Sequence, residues 1–229
     1  QSLSQGGAWT AVHTQGTVFQ DIDFVIEGGC SVGWAVGNGG NVARMAPTEF
    51  TKTLQFKAML EGYLSCPPLT YIGDTLTVCI RDVTAGFPII AIAKGKNDGN
   101  GNLTVSFTDP IGAGPYYIVV KSRNGIETWS KSGGELWPAN TLKYDFTSDA
   151  SQAFGSNMVF KCGKWCIYSG DVNQDGVIDL SDAALIDNDI VNFVSGYVVT
   201  DLNCDGTVDI SDAAIADNNA YNFVAVIRP

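Results

Sequence analysis

The feature that most constrains this chain is a twelve-residue acidic segment that occurs twice. DVNQDGVIDLSD runs from Asp171 to Asp182, and DLNCDGTVDISD runs from Asp201 to Asp212, at a constant offset of 30 residues. Carboxylates held this close together repel one another, so each segment folds compactly only if a positive charge offsets them. The repeat therefore predicts a bound cation in each segment.

The spacing of the oxygen-bearing residues identifies the expected ion. A hard dication such as Ca²⁺ prefers roughly six to eight oxygen ligands, and an EF-hand-like loop supplies them from positions 1, 3, 5, 7, 9 and 12. Position 7 contributes its backbone carbonyl, and a glycine at position 6, here Gly176 or Gly206, allows the sharp turn. Position 12 is an aspartate, which has a shorter arm than the glutamate common there. The sequence predicts two Ca²⁺ ions, held by Asp171, Asn173, Asp175, Val177, Asp179 and Asp182, and by Asp201, Asn203, Asp205, Thr207, Asp209 and Asp212.

Aspartate, asparagine and glycine also make ordinary polar turns, which is the alternative interpretation of these segments. One D-x-N-x-D-G stretch could arise in that way, whereas two complete matches at a fixed offset favour metal binding. Position 8 is apolar in both loops, as Ile178 and Val208. We expect these two residues to pair as a short strand.

Each loop leads into a predicted helix, SDAALIDNDIVNFV after the first and SDAAIADNNAYNFV after the second. Ser181 and Ser211 stand just before the helices and are the predicted N-caps. Ile186, Phe193 and Phe223 occur at helical spacing and are predicted to make apolar contacts.

Two calcium loops, each followed by one helix, within residues 167–229 resemble a dockerin type I module. The resemblance implies calcium-dependent folding and docking onto a cohesin domain. Cellulosomal dockerins carry small hydroxyl pairs at loop positions 10 and 11 and a Lys-Arg patch on the helix. This chain has Leu180-Ser181 and Ile210-Ser211 there, with acidic and amide residues on the helices. The resemblance thus extends to the calcium ligands and less to the residues that recognise the partner.

Residues 50–166 predict a β-sandwich. Its candidate strands are KTLQFKAML, TLTVCIRDV, PIIAIAKG, NLTVSFTD, GPYYIVVKSR, IETWSK, LKYDFT and SNMVFKCGKWCIY, separated by Gly-, Pro- and Asn-rich turns. The strand order and the phrases NDGNGNLTVSF and GPYYIVVKSRN resemble the prealbumin-like or collagen-adhesin B-type sandwich of bacterial surface proteins.

Residues 1–49 form a third predicted region with two or three strands around Gly-rich turns. GWAVGNGGNVARM resembles one blade of the β-propeller repeats of photosystem-assembly-factor-like proteins, but it occurs once and predicts no propeller. So short a segment buries too little surface to be stable alone. It is expected to pack on its own sandwich or on a neighbouring subunit, and both alternatives remain open.

Charge and cysteine content narrow the classes of partner and compartment. Of the net charge of −11, a charge of −10 falls on residues 170–229, and no basic patch indicates a nucleic-acid partner. No apolar run is long enough to cross a membrane. Six cysteines favour disulfides over a zinc site and predict an exported chain whose leader has been removed, secreted or at the cell surface. Cys162–Cys166 and Cys66–Cys79 are the candidate pairs.

Catalytic residues are not apparent, and no enzyme activity is predicted. The single histidine is His13, and the carboxylates outside the loops show no facing pair; they include Glu27, Glu61, Asp74, Glu127 and Glu135. Trp129, Trp137 and Trp165 could stack sugars or simply fill a core. Lys57 and Asn157, with Glu127, have the order of an isopeptide crosslink but are more simply surface residues.

The sequence as a whole predicts a mainly β, non-catalytic, calcium-stabilised extracellular structural protein. We expect it to self-associate or to bind another β-rich extracellular domain, and head-to-tail strand addition through residues 1–49 would build a filament or surface layer. The alternative is a dockerin-bearing accessory or carbohydrate-binding protein attached to a cohesin scaffold.

Overall fold

The structure is a computed structural model that describes residues 8–11, 19–27, 30–37, 42–46, 51–109 and 111–229. The chain divides into two compact units, Gln1–Phe50 and Thr51–Pro229. The mainly β fold with a sandwich and a small C-terminal helical part is confirmed. The further division after residue 166 remains a prediction.

The first unit contains one antiparallel sheet. Its strands are β1 (Ala8–Ala11), β2 (Phe19–Glu27), β3 (Cys30–Gly37) and β4 (Val42–Ala46), in the spatial order β1-β4-β3-β2. The sequence predicted two or three strands. Strand β1 was missed because four residues are too few to display an alternating pattern. It pairs with β4 in a register that sets Trp9 opposite Met45.

The second unit begins with two sheets that form the sandwich. Its strands in chain order are β5 (Lys52–Lys57), β6 (Leu64–Ser65), β7 (Thr70–Tyr71), β8 (Thr75–Asp82), β9 (Ile89–Lys96), β10 (Asn102–Phe107), β11 (Tyr116–Lys121), β12 (Thr128–Trp129), β13 (Thr141–Asp145), β14 (Val159–Lys161) and β15 (Lys164–Cys166). One sheet has the order β10-β5-β13 and the other β12-β11-β8-β9. Every predicted strand segment of residues 50–166 contains an observed strand. The β6–β7 hairpin was not predicted, because its strands are only two residues long.

Alternating residues of the two sheets meet in one core. Leu54 and Phe56 of β5 face inward with Val78 and Ile80 of β8, and all four are buried. Strand β11 is buried on both faces, which explains its uninterrupted apolar run. The burial of these apolar side chains is the main favourable term in the stability of the sandwich.

A second, smaller cluster covers the outer face of the four-stranded sheet. Trp129 packs edge-on against Phe87 and Tyr117, and is buried. Trp137 is buried against Phe107 in the main core. Trp165 is half-buried beside Phe160. The three tryptophans therefore do not form a sugar-stacking platform, since two of them fill cores.

The structure contains a disulfide between Cys66 and Cys162, whose Cα atoms lie 6.1 Å apart. Both predicted pairings are wrong. Cys79 is part of the small outer cluster, whereas Cys66 lies in the β6–β7 turn. Cys166 stands opposite Val159 in the β14–β15 hairpin and enters the main core, whereas Cys162 occupies the hairpin turn.

The chain ends in two helices, α1 (Leu180–Val191) and α2 (Ile210–Tyr221). They belong to the same compact unit as the sandwich, because Ile178 and Val224 are buried in the main sandwich core. Neither these helices nor any other helix in the described ranges has the length and apolar character needed to cross a membrane.

The Cys66–Cys162 bond yields a prediction about stability. The bond joins cysteines 96 residues apart, so it removes much of the loop entropy of the unfolded chain. Replacing both residues with serine is expected to lower the free energy of unfolding by about 2–5 kcal/mol, measured by urea denaturation.

A reducing agent provides the matched control. It should destabilise the native chain but leave the C66S/C162S variant unchanged. A non-reducing peptide map that links Cys66 to a different cysteine would contradict the assignment.

Candidate metal centre

The two acidic loops fold into closely matching turns. In the first, Asn173 Oδ1 accepts from the Asp175 backbone N–H at 2.9 Å, and Asp175 Oδ1 accepts from the Val177 N–H at 2.9 Å. The second loop repeats both bonds at 2.8 and 2.9 Å. Gly176 and Gly206 have φ of 94° and 88°. Glycine adopts this left-handed conformation at low cost, whereas other residues do not. The spacing thus predicted the local turn correctly.

The position-12 aspartates close each loop from inside. Asp182 is fully buried; its Oδ1 accepts from the Val172 and Asn173 N–H groups at 2.8 and 3.1 Å, and its Oδ2 accepts from the Asp179 N–H at 3.0 Å. Asp212 makes the equivalent three bonds at 2.7, 3.0 and 2.9 Å. The shorter aspartate therefore ties the end of each loop to its start.

Position 9 caps the helix in each repeat. Asp179 Oδ1 accepts from the Ser181 backbone N–H and hydroxyl, each at 2.7 Å, and these bonds lower the pKa of Asp179. Asp209 makes the same contacts with Ser211. The predicted serine N-caps are wrong by two residues, because an aspartate one position before the helix already reaches the orphan N–H groups.

The position-1 aspartates are the unusual feature of the site. Asp171 is 2% exposed and Asp201 is 1% exposed, yet Oδ1 of each has no hydrogen-bond partner. Burial raises the pKa of Asp171 to about 6, together with repulsion from Asp182, and burial also raises the pKa of Asp201. A buried carboxylate oxygen without a partner is costly. Its occurrence at the same position in both repeats fits a cation that each loop is built to hold.

The donor set also fits calcium better than a transition metal. In the part of the chain that the structure describes, no three or more Asp, Glu, Cys or His side chains are gathered so that they could hold a metal ion, and this includes the four aspartates of each loop. A calcium loop draws instead on carboxylates, amide and backbone oxygens and water. The loops offer such a mixture, and their predicted ligands would supply carboxylate oxygens to offset the charge of a hard dication.

The loops do not pair with each other as predicted. The Ile178 N–H donates to Val224 O at 2.9 Å, and the Val208 N–H donates to Val194 O at 3.1 Å. Each loop therefore bonds to the segment that follows the helix of the other repeat. These two reciprocal hydrogen bonds hold the two repeats together. The sequence of one repeat alone could not predict them.

The helices bury one face and expose the other. Ile186 is fully buried with Ala216 in a small core of the module, as expected for Ile186. Phe193 and Phe223, predicted to pack inward, are 90% and 89% exposed. Each follows the helix in a left-handed conformation, with φ of 51° and 54°, a position usually taken by glycine. The sequence analysis identified the two phenylalanines but missed their position directly after the asparagine that caps each helix, which turns them outward.

The carboxylates outside the loops each take separate partners. Asp74 pairs with Arg123 at 3.1 Å, Glu127 with Lys121 at 2.5 Å, and Glu135 with Lys131 at 3.3 Å. Glu61 accepts from Asn219 at 2.7 Å. The side chains of His13 and Glu27 lie outside the described residues. Asn157, suggested for a crosslink with Lys57, donates instead to Ala225 O at 2.9 Å.

Comparison with known proteins finds matches among solved structures only. No family model and no curated protein matches the sequence. Two solved structures match, a C-terminal and an N-terminal interface mutant of the type II cohesin–X–dockerin complex from Acetivibrio cellulolyticus. Each match covers 75% of this chain and 99% of the other at 17% identity, with TM-scores of 0.43 and 0.40.

The buried position-1 oxygens yield a prediction about metal binding. The native chain is expected to bind two Ca²⁺ ions, and Asp171→Asn or Asp201→Asn to bind one, measured by titration calorimetry. With free Ca²⁺ about 100-fold above its Kd, each ion adds about 2.7 kcal/mol to the free energy of unfolding.

Asp187→Asn is the matched control, because Asp187 is exposed on α1 and should leave the stoichiometry unchanged. In excess chelator, Asp171→Asn should melt above the native chain, since it removes a buried charge. A native chain whose melting temperature is the same in calcium and in chelator would contradict the calcium assignment.

Proposed function

We propose that this chain is a non-catalytic, calcium-loaded attachment protein. Its C-terminal two-loop module, residues 167–229, docks onto a cohesin-type domain of another protein, and the β-sandwich is carried on it. The dockerin-like pattern of both loops supports this proposal. So does the outward direction of the apolar residues at the ends of the two helices, which is the observation that carries it.

Four large apolar side chains project from the module in two equivalent pairs. Leu180 and Ile210, at loop position 10, are 82% and 77% exposed, and Phe193 and Phe223 are the most exposed of the four. A side chain that is nearly fully exposed contributes little to folding, and large apolar residues exposed in this way mark protein contacts. A left-handed conformation also disfavours phenylalanine, so folding alone does not explain its presence in both repeats.

The backbone pairing brings the members of each pair to one end of the module. The bridge between Val177 and Ala225 sets the start of α1 beside the end of α2, with Leu180 and Phe223 a few residues away. The bridge between Ser195 and Thr207 does the same for Phe193 and Ile210. The module therefore offers two similar apolar patches, one at each end.

The surface between these patches is mainly apolar and carries one aspartate on each helix. On α1, Leu180, Asp187 and Val191 are exposed at positions that share one helix face, and α2 repeats the arrangement with Ile210, Asp217 and Tyr221. The partner is expected to present apolar pockets with basic residues around them. Charge complementarity of this kind would accelerate association and reduce binding to wrong partners.

The other features are consistent with a protein that works outside the cell. A disulfide persists in an oxidising compartment, and calcium is abundant there. Two of the three tryptophans suggested for sugar binding are buried, so attachment rather than carbohydrate recognition is the function that we propose.

Strand addition is the second candidate function, and it concerns the first unit. Among the described strands of that unit, β2 forms one edge of the sheet and pairs on one side only. A nine-residue edge could accept a strand from a neighbouring subunit. This candidate predicts that removal of residues 1–49 abolishes self-association in sedimentation experiments. Assembly of the truncated chain would contradict it.

The exposed phenylalanines yield a prediction that separates docking from folding. In the F193G/F223G variant, glycine suits the left-handed position, so the melting temperature in calcium should be unchanged or higher. Binding to an immobilised cohesin domain should weaken by at least about tenfold per residue removed, or about 1.4 kcal/mol each.

Phe160→Ser is the control, because Phe160 is also an exposed aromatic residue but lies on the sandwich. It should bind as the native chain does. Equal binding of the F193G/F223G variant and the native chain would refute docking through these patches. If no type I or type II cohesin captures the native chain in calcium, the cohesin-type partner is wrong.

A further inference from the structure

We propose that one turn of the sandwich, Arg123–Gly125, positions the first ligand residue of both metal loops and couples the two sites; this rests on the proposed calcium binding. The turn lies between β11 and β12, in a part of the chain with no metal-binding pattern of its own. This turn lies against the start of both loops, where it bonds to Gly170 and to Asp201.

Asn124 holds the start of the second loop. It is fully buried, and its Nδ2 donates to the backbone carbonyls of Val199 and Asp201, each at 3.1 Å. Its Oδ1 accepts from the Tyr63 hydroxyl at 3.4 Å, which orients the amide. The carbonyl of Asp201 is thus fixed on the same residue whose Oδ1 has no hydrogen-bond partner.

The same turn holds the start of the first loop through its backbone. Asn124 O accepts from the Gly170 N–H at 2.7 Å, and Gly125 forms a bridge with Ser169. Gly170 directly precedes Asp171, the other position-1 residue. A single buried asparagine therefore contacts Asp201 of the second loop through its side chain and, through its main chain, the residue that directly precedes the first loop.

Arg123 reinforces the second loop only. Its guanidinium donates to Val198 O and, at 3.4 Å, to Asp201 O, and lies 4.0 Å from the centre of the Tyr197 ring. Asp74 orients it from the sandwich side, accepting from its Nε at 3.1 Å and from the Tyr197 hydroxyl at 2.5 Å. The arginine therefore contacts Asp201 of the second loop and two residues of the segment that leads into it.

The sandwich backbone also abuts the second loop directly. A Cβ atom added to Gly62 would lie only 1.9 Å from Leu202 O, so no larger residue fits there. Leu202 is the residue after Asp201. The start of the loop is therefore confined on one side by backbone and held by Asn124 and Arg123.

These contacts have two consequences for a bound ion. Groups that orient a metal ligand typically change metal affinity by about 10–100-fold when they are removed. Because Asn124 contacts the second loop and the residue directly before the first, ordering of one loop also fixes the turn that holds the other. The second ion then binds to a more ordered site, which produces positive cooperativity without a large structural change.

The test compares two asparagine variants of the full chain in a calcium titration by calorimetry. Asn124→Ala removes the side-chain bonds to Val199 and Asp201 but keeps the main-chain bond to Gly170. It is therefore expected to weaken the second site by about 10–100-fold, to weaken the first site less, and to reduce positive cooperativity. Asn157→Ala is the matched control: Asn157 also donates to a C-terminal backbone carbonyl, that of Ala225, but away from any position-1 residue. It should leave both affinities unchanged.

Melting temperatures separate positioning from simple stabilisation. A structural role alone would lower the melting temperature of Asn124→Ala equally in calcium and in chelator. A positioning role lowers the melting temperature more in calcium than in chelator, because weaker calcium binding stabilises the folded chain less. Asn124→Ala with native affinities and cooperativity would overturn the inference while leaving calcium binding intact. A native chain that binds no calcium would instead overturn the proposed function.

Arg123→Lys keeps the inference testable if Asn124→Ala fails to fold. Lysine retains the charge beside Asp74 but cannot span the carbonyls of Val198 and Asp201 as the guanidinium does. It should weaken calcium binding at the second loop by about tenfold and leave binding at the first loop unchanged. Equal weakening of both sites, or of neither, would contradict the assigned geometry.

Discussion

The unpartnered, buried oxygens of Asp171 and Asp201 are the constraint on which the C-terminal module of this protein depends. Each loop is closed by a buried aspartate with three backbone hydrogen bonds, and each helix is capped by another aspartate. These bonds satisfy most carboxylate oxygens within the loop, but leave one oxygen at the first position of each repeat unsatisfied. A bound cation would offset the cost of such a buried oxygen.

The C-terminal module is integrated with the sandwich. Ile178 of the first loop and Val224 after α2 lie in the sandwich core, and Asn219 of α2 reaches Glu61 and Ser169. The module's own core is small, so these contacts contribute a substantial part of its stability. If the module docks as proposed, this junction would transmit force and orientation to a partner, where a flexible linker would not.

Folding and the proposed docking use different faces of the same helices. The inward residues Ile186 and Ala216 form the core, while the outward stripes end in Phe193 and Phe223. The structure bears a local cost at both phenylalanines, since bulky residues disfavour the left-handed region. Strain of this kind often occurs at functional sites, and this supports docking as the reason for these residues.

The sequence by itself determined the features that depend on local spacing: the turn geometry of both loops, the helices that follow them, and the strands of the sandwich. Alternation and loop position are properties of short segments, so they could be predicted without the fold. The tertiary structure alone decided the Cys66–Cys162 pairing, the burial of Trp129 and Trp137, the reciprocal hydrogen bonds between the two repeats, and the contacts of Asn124 at the starts of both loops. These features join residues that are distant in the sequence, and only the packing of the sheets and helices brings such residues together.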